Sequence, residues 1–554
     1  MKTNKILVGI LGMALSFTAC KKDLDISNIN QPTPLNAQTE PGIFSYATGA
    51  IYRNGFFDLK YTDGVYGRYW TGAMGFQELM GDVIGAEAAN AYMNQIGCPN
   101  KVTFDDGTTS LNPAFIKTQY ELCRFINQNS QGGSNTTYYQ WAYSYNMITT
   151  ANTVLYLLDK VTFTGNVAAQ KATIKAWAYW WKAYAYGQVG SMYYAGLIQN
   201  EINATFLPAF KTNGNYVTKE KIITESNLYY DSCRISIAAA TTASATEYTA
   251  TVKKLIPSYL QVGKGGVLTA DMWNRNINTM KARNILVNTP VASMTSTQWT
   301  NLLLLVNDGV KSTDLIFTAR TDNNGSFLES GSSATIADRT QSAVSTTSGY
   351  KLSERWVQEF KTGDKRRDNN VSTLTSVGLF NTDRGNSFNT RFTIKNKGNG
   401  LPGVIVYANN DPGANEITIA ATYEENELMK AEALIKTGKI DLGVASVDAV
   451  RTYQGAGLAA TTTGLSEADA YEELRRERRI ALVFKGLSFY DARRWDIIAP
   501  DKSRAKVNVV DSKGKVSTNA TIVYGFLDYW DVPDNELAYN PAVAGSAPTV
   551  NPKK

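Results

Sequence analysis

Apolar residues at the spacing of an α-helix recur in two neighbouring stretches, and this periodicity constrains the fold more than any other feature. In the first stretch, steps of three and four run through Trp141, Tyr145, Ile148, Ala151, Leu155 and Leu158. In the second they run through Ile174, Trp177, Trp181 and Tyr184, up to Gly187 and Gly190. Each stretch predicts a helix with one bulky apolar face. We therefore expect four tryptophans to lie in the core: Trp141, Trp177, Trp180 and Trp181.

Helical pairs are the predicted unit of the scaffold. Only residues 162–167 separate the two stretches, which indicates an antiparallel hairpin like a tetratricopeptide-type pair. Near the C-terminus, Ser466-x-x-Asp469 is a capping pattern for a helix that continues to Phe484. The remaining predicted helices span residues 43–57, 69–80, 219–240, 270–287, 297–306, 425–436 and 442–453. The predicted fold class is mainly α.

Three long polar regions interrupt this helical pattern, at residues 85–135, 320–350 and 362–415. The second is rich in Ser, Thr, Gly and Asn, and the third holds short strand-like runs at 392–395 and 404–407. Long irregular insertions on a helical frame are where binding residues usually lie. The sequence therefore predicts a helical scaffold that carries three large loop regions and a few short strands.

The first twenty residues have the pattern of a lipoprotein signal. Lys2 and Lys5 precede an apolar run, and Ser16-Phe17-Thr18-Ala19-Cys20 looks like a lipobox. The apolar run is too short to span a bilayer. We therefore predict a signal peptide at residues 1–19, lipidation of Cys20 and a polar tether at residues 20–40.

Composition excludes several classes of function. The formal charge is +6, or +4 once Lys2 and Lys5 leave with the signal peptide, which is too small to indicate nucleic-acid binding. Histidine is absent, which excludes Ser-His-Asp and Cys-His triads and most zinc sites. A glycosidase that uses two carboxylates stays open, since it needs only two acids at the right separation.

Three cysteines follow Cys20. Cys98 and Cys123 are candidates for a bridge, but the odd count and the lack of a metal-binding spacing favour small buried thiols, Cys233 included. No cofactor is predicted. Two groups have oxygen ligands of the kind that contact calcium, the acids Asp105 and Asp106 and the Asp/Asn cluster at 322–324, yet acids in loops usually face water.

Aromatic residues are numerous, with 10 Trp, 31 Tyr and 20 Phe. Most must fill the core, but rings in polar loops suit the apolar face of a sugar. The densest basic cluster is formed by Arg475, Arg476, Arg478, Arg479, Arg493 and Arg494. An anion site is one interpretation of this cluster, and a solvated helix face with internal ion pairs is the favoured one.

Four further segments carry a family pattern that none of them would establish alone. They are Tyr423-Glu-Glu-Asn-Glu-Leu-Met-Lys-Ala-Glu-Ala-Leu-Ile-Lys-Thr-Gly438, Glu477-Arg-Arg-Ile-Ala-Leu-Val-Phe-Lys-Gly486, Asp491-Ala-Arg-Arg-Trp495 and Trp530-Asp-Val-Pro-Asp-Asn-Glu-Leu-Ala-Tyr-Asn-Pro541. With the lipoprotein start and the helical hairpin, they resemble the SusD/RagB family over most of the chain. Ala481, Lys485 and Ser488 depart from two acids and an arginine of the family, which indicates a divergent member.

The resemblance implies a single SusD-like domain over residues 41–554. Its helical scaffold would comprise residues 41–80, 139–190 and 423–495. Family members are cell-surface lipoproteins of the outer membrane that capture oligosaccharides, in some cases peptides, for a SusC-like TonB-dependent barrel. The resemblance therefore implies an oligosaccharide ligand, a barrel partner, attachment to the membrane through Cys20, no nucleic acid and no catalytic residue.

Candidate ligand-binding residues lie in the first two loop regions. By the resemblance, Asp82 holds the place of an acid before the first ligand loop, and residues 320–327 hold that of the middle binding loop. The full candidate set is Asp82, Tyr92, Asn94, Arg320, Asp322, Asn323, Asn324 and Phe327. Three alternatives stay open: a surface glycosidase, a peptide-binding protein, and a purely structural partner of a transporter.

Overall fold

The computed structural model describes a large helical body with short strands at its periphery. The described residues are 36–53, 59–60, 66–67, 74–86, 93–112, 118–130, 135, 137–202, 214–320, 350–378, 389–395, 403, 405, 416–500, 502–511 and 513–553. The signal peptide, Cys20, most of the tether and the predicted strand at 404–407, apart from residue 405, lie outside these residues. No helix among those described is long and apolar enough to cross a membrane.

The helices among the described residues comprise ten that were predicted, in the predicted order, and six short ones that were not. They are α1 (Glu40–Tyr46), α2 (Met74–Met80), α3 (Met93–Ile96), α4 (Gln119–Ile126), α5 (Thr137–Leu157), α6 (Val167–Met192), α7 (Lys219–Leu255), α8 (Ala270–Val287), α9 (Ser296–Asn307), α10 (Glu354–Val357), α11 (Lys365–Asn370), α12 (Tyr423–Lys436), α13 (Ile440–Tyr453), α14 (Glu467–Ala481), α15 (Ser488–Arg494) and α16 (Asp534–Tyr539). A π-helical segment, Ala47–Arg53, continues α1. Short 3-10 turns lie at Asn36–Gln38, Leu158–Lys160, Ser258–Leu260 and Val291–Ser293.

The α5–α6 pair forms the aromatic centre of the molecule. Helix α6 begins after Asn166, whose side chain accepts a hydrogen bond from the Ala169 amide at 3.0 Å. The predicted burial of Trp141, Trp177, Trp180 and Trp181 is confirmed. The ring centroids of Trp180 and Trp181 lie 4.5 and 5.2 Å from that of Phe317, so the hairpin packs its rings against a distant strand.

Buried ion pairs hold the C-terminal helices α12 to α15 together. Arg494 reaches the Glu432 carboxylate at 2.6 Å and Asp491 at 2.8 Å, and all three side chains are buried. Arg478 binds the other oxygen of Asp491 at 2.9 Å. The internal ion pairs expected of the arginine cluster are present, but the solvated face is wrong for Arg478, Arg479, Arg493 and Arg494, which are buried. Sequence spacing does not show that carboxylates from neighbouring helices surround them.

Helix α14 confirms the predicted cap and corrects the predicted end. The Ser466 side chain accepts from the Asp469 amide at 3.1 Å. The helix ends at Ala481, before the predicted end at Phe484. Phe484 has a φ of 58°, in the left-handed region, where a right-handed helix cannot continue. At the divergent positions, Ala481 is buried and Ser488 donates to the Gln77 carbonyl at 3.0 Å.

The strands form small antiparallel sheets. They are β1 (Leu59–Lys60), β2 (Tyr66–Gly67), β3 (Ile84–Ala86), β4 (Lys101–Thr103), β5 (Thr109–Leu111), β6 (Ala195–Gly196), β7 (Val217–Thr218), β8 (Phe317–Arg320), β9 (Tyr350–Leu352), β10 (Val371–Gly378), β11 (Thr390–Ile394), β12 (Glu416–Ala420), β13 (Arg504–Val510) and β14 (Val516–Val523). One sheet has four strands in the order β13-β14-β4-β5, and the other sheets are pairs: β1-β2, β3-β9, β6-β7, β8-β12 and β10-β11.

The four-stranded sheet corrects the prediction that residues 85–135 are irregular. The C-terminal hairpin β13-β14 recruits β4 and β5 from this region, with Ile522 opposite Val102. Helix α4 also lies in this region, and its Thr118 and Glu121 form a capping box. Buried thiols are confirmed, since Cys98, Cys123 and Cys233 are all buried and unbridged.

Candidate functional site

The first two loop regions are rooted in one two-stranded sheet. Strand β3 pairs with β9, which places Ile84 opposite Leu352 and Ala86 opposite Tyr350. The first loop region therefore begins at the same sheet at which the second loop region ends. Strand β11 of the third region lies alongside, since the Thr390 hydroxyl donates to the Leu352 carbonyl at 2.7 Å.

The second and third loop regions share another root. Strand β8 pairs with β12, and Arg320 lies opposite Glu416. The second region leaves the body at Arg320, and the third returns at Glu416. Phe317, at the start of β8, sits on the tryptophans of α6. We call these two sheets, β3-β9 and β8-β12, the loop stems.

A buried charge network locks the β3-β9 stem. Asp82 precedes β3 in a left-handed turn at φ 57°, and its Oδ1 accepts from Arg355 Nη2 at 2.7 Å. The hydroxyls of Ser353 and Tyr524 donate to the same oxygen at 3.0 and 2.9 Å. Arg504 Nη1 lies 3.3 Å from Oδ2. The stem is thus tied to α10 through Arg355, to β13 through Arg504 and to the end of β14 through Tyr524, which follows it.

Asp82 is thus buried in the scaffold and paired with Arg355, and its predicted role in contacting ligand stays a prediction. Burial alone would raise the pKa of this carboxyl, but the charge and hydrogen bonds of Arg355, together with the charges of Arg504 and Arg479, hold the pKa below its usual value. An ionised carboxylate whose oxygens already accept from Arg355 and Tyr524 is committed to the stem. An acid after a helix looks the same in sequence whether it faces a loop or a buried arginine.

The other predicted ligand residues lie at the stems or outside the described residues. Arg320 is the last residue of β8, and Asn94 is part of the short helix α3. Five lie outside the described residues: Tyr92, Asp322, Asn323, Asn324 and Phe327. The structure thus shows where the candidate loops are anchored, and their roles in ligand contact remain predictions.

A second carboxylate at the same place was not indicated by the sequence. Glu359 follows α10, is buried, and accepts from Arg475 Nη2 at 2.8 Å and Arg504 Nη2 at 2.8 Å. Burial would raise the pKa of Glu359, but Arg475 and Arg504 lower it to about 2. Arg504 contacts both Glu359 and Asp82, so one guanidinium joins the two buried acids.

An open depression of about 380 Å³ lies over the α13–α14 connection. It is lined by Lys361, Ala459, Ala460, Thr461, Thr462, Leu465, Asp469, Glu472 and Glu473. Asp82 is not among its described lining residues. Among the described residues, no group of three or more acids or cysteines is placed to hold a metal ion. Both carboxylate oxygens of Asp105 accept backbone amides, those of Asn519 and Thr518, at 2.9 Å.

The C-terminal half of the chain matches a known protein family. The model of the SusD family matches residues 269–546, a span that contains helices α8 to α16 and the β8-β12 stem. The chain belongs to the SusD family. No curated protein sequence matches this SusD-family chain.

Solved structures show the same fold. A SusD-like carbohydrate binding protein from Bacteroides vulgatus has 13% identity and a TM-score of 0.55, over 93% of this chain and 99% of that one. Surface glycan-binding protein A from Bacteroides thetaiotaomicron, in complex with laminarihexaose, has 12% identity and a TM-score of 0.53, over 91% of this chain and 98% of that one. A SusD superfamily protein from Parabacteroides distasonis has 13% identity and a TM-score of 0.53, over 91% and 98%. The predicted mainly α, SusD-like fold is confirmed.

Proposed function

We propose that this SusD-family protein binds oligosaccharides at the cell surface without catalysing a reaction. The observation that carries the proposal is the anchoring of three polar loop regions on two stems, which are packed and ion-paired against the helical scaffold. A rigid frame with variable loops is the usual arrangement of a binding site. Two of the similar structures support a carbohydrate ligand, since one is described as carbohydrate binding and the other holds laminarihexaose.

The proposed site lies on the loops that carry Tyr92, Arg320, Asn324 and Phe327. A ring stacks on the apolar face of a sugar, while amides and a guanidinium satisfy its hydroxyls. We further propose that Cys20 is lipidated and anchors the protein in the outer membrane, with a SusC-like TonB-dependent barrel as the partner that receives the ligand. These two statements rest on the signal sequence and on family membership.

The test is isothermal titration of the mature chain, from Lys21 onward, with a panel of neutral oligosaccharides and a matched panel of peptides. A saturating isotherm with an oligosaccharide is expected, and Phe327→Ala should weaken it, with Phe104→Ala in the β4-β5 hairpin as a ring-removal control outside the candidate set. Saturation with peptides alone would show that the ligand is a peptide and not an oligosaccharide. Sustained heat after each injection would indicate turnover and contradict the proposal.

A further inference from the structure

The amine of Lys182 lies against the side-chain amide of Asn152, between helices α5 and α6. Its Nζ donates to Asn152 Oδ1 at 2.6 Å, and both side chains are buried. The carbonyl bond of the amide is about 1.2 Å long, so Nζ lies no more than about 3.8 Å from the carbon Cγ. This is close to the separation of about 3–3.5 Å from which a nucleophile attacks a carbonyl carbon.

The amide of Asn152 is held with its carbonyl facing the lysine. Its Nδ2 donates to the Gln199 carbonyl at 2.7 Å. The opposite orientation would place the Asn152 oxygen against the Gln199 oxygen, and neither could donate a hydrogen bond to the other. The amine and the amide carbon are therefore fixed side by side.

The ammonium form of Lys182 has no counterion at this place. Among the described residues, no carboxylate lies within ion-pair distance of Nζ, whose second hydrogen bond runs to the Tyr229 hydroxyl at 2.9 Å. Burying an unpaired ammonium is costly, which favours the neutral amine. Burial accordingly lowers the pKa of Lys182 to about 7, although the charge of Glu225 opposes the shift. The neutral amine is the nucleophilic form of lysine.

Tyr229 connects this amine to a proton acceptor. Its hydroxyl, which contacts Nζ, also hydrogen-bonds to the side chain of Glu225. The ammonium can therefore pass its proton through Tyr229 to the Glu225 carboxylate. The Tyr229 ring centroid lies 4.1 Å from Nζ, and the ring stacks with those of Tyr179 and Tyr186. These rings shield the amine and the amide from water, which would compete as a nucleophile.

We propose that Lys182 and Asn152 join in an intramolecular isopeptide bond. Nζ attacks Cγ, and a new C–N bond forms as the bond between Cγ and Nδ2 breaks. One proton of the neutral amine passes to Nδ2, which leaves as ammonia. The two side chains become one secondary amide, and no oxidant or other reactant is needed. The bond ties α5 to α6, and a chain in which it has formed no longer titrates at Lys182.

Intact-mass spectrometry of the mature chain tests the bond. The chain is expected to be lighter than its sequence by one ammonia, either as purified or after incubation at alkaline pH, where the amine is neutral. Tryptic digestion should then give a branched peptide in which Lys182 is uncleaved and joined to the segment that holds Asn152. Lys182→Met should keep the mass of its sequence. Lys254→Met, at a surface lysine paired with Glu40, should lose ammonia like the wild type.

A second variant tests the path of the proton. Glu225→Gln keeps a hydrogen-bonding side chain beside Tyr229 but cannot accept the proton. The rate of ammonia loss, followed by intact mass during the incubation, should fall by about tenfold or more. An unchanged rate overturns the assignment of Glu225 as the proton acceptor.

The outcomes decide the proposal without any ligand, so it is tested separately from the proposed function. A wild-type mass that stays at the sequence value after incubation overturns the isopeptide bond. Loss of ammonia in Lys182→Met, or without the branched peptide, also overturns it, because the ammonia then comes from another side chain. The branched peptide is read in the wild type, so the test holds even where Lys182→Met folds poorly.

Discussion

The two loop stems are held by opposite kinds of chemistry. The β8-β12 stem rests on rings, since Phe317 packs among the buried tryptophans of α6. The β3-β9 stem rests on charge, since Asp82 before it is locked by Arg355 and Arg504. The helices repeat this division. Rings pack within α6 and between Trp141 of α5 and Tyr193, which follows α6, whereas buried ion pairs join α12 to α15.

Because of this difference, we expect substitutions in the two stems to reduce stability by different amounts. Burying rings contributes stability that changes little with pH or salt, because no charge is involved. A buried ion pair contributes little net stability while intact, but removal of one partner leaves a charge without compensation. The charged stem should therefore be the more fragile one.

The largest expected effect is at the charged stem. Asp82→Ala leaves the buried guanidinium of Arg355 without its carboxylate, so the free energy of unfolding should fall by about 3–5 kcal/mol. Urea unfolding of the mature chain measures this loss. Asp106→Ala is the control, since its carboxylate pairs with Lys515 at the surface, and this variant should change stability by less than about 1 kcal/mol. Equal losses of unfolding free energy in the two variants would show that the buried ion pair of Asp82 is no more important for stability than a surface ion pair.

A smaller effect is expected at the aromatic stem. Phe317→Leu keeps an apolar side chain but leaves part of the space between Trp180 and Trp181 empty, so stability should fall by about 1–2 kcal/mol. The loss should be the same at low and high salt, as measured by urea unfolding at two sodium chloride concentrations. A loss that shrinks markedly with salt would show that this stem also depends on charge.

A pH-dependent effect is expected at Lys182, a buried charged side chain inside the aromatic half of the molecule. Its amine is buried, with Asn152 Oδ1 at 2.6 Å and the Tyr229 hydroxyl at 2.9 Å. Burial lowers the pKa of Lys182 to about 7, from the usual 10.5. Between these values the unfolded chain binds more protons than the folded one, so stability should rise with pH by up to about 1.4 kcal/mol per pH unit.

Lys182→Met should remove this alkaline rise and leave the fold intact, because a methionine fills the same space without a charge. Thermal unfolding from pH 7 to 10 would measure the slope in both proteins. Lys254→Met is the control, since Lys254 pairs with Glu40 at the surface. An unchanged slope in Lys182→Met would show that another group causes it.

Periodicity predicted the scaffold because local spacing determines which face of a helix is buried. Residues 270–287 were predicted as a helix and form α8 with the same bounds. The four-stranded sheet was not predicted, since Val102 pairs with Ile522 and no local pattern marks a partner that distant. The stems were missed for the same reason, as β3 and β9 have only three residues each.

The candidate site was predictable only as far as the loop regions. Composition marked the polar regions, and the strands described at their ends pair into shared stems. The role of Asp82 depended on Arg355, which lies 273 residues away along the chain. The arginines of α14 were predicted to form a solvated face with internal ion pairs, but the burial of Arg478 and Arg479 appears only when distant segments are brought together.

The most direct test of the account is titration of a loop variant. The central claim is that the loops bind the ligand and the scaffold only positions them. Replacing Asp322, Asn323 and Asn324 by serine and Phe327 by alanine should abolish saturable oligosaccharide binding, while the thermal unfolding temperature stays that of the wild type. Undiminished binding by this variant would place the ligand elsewhere and contradict the account.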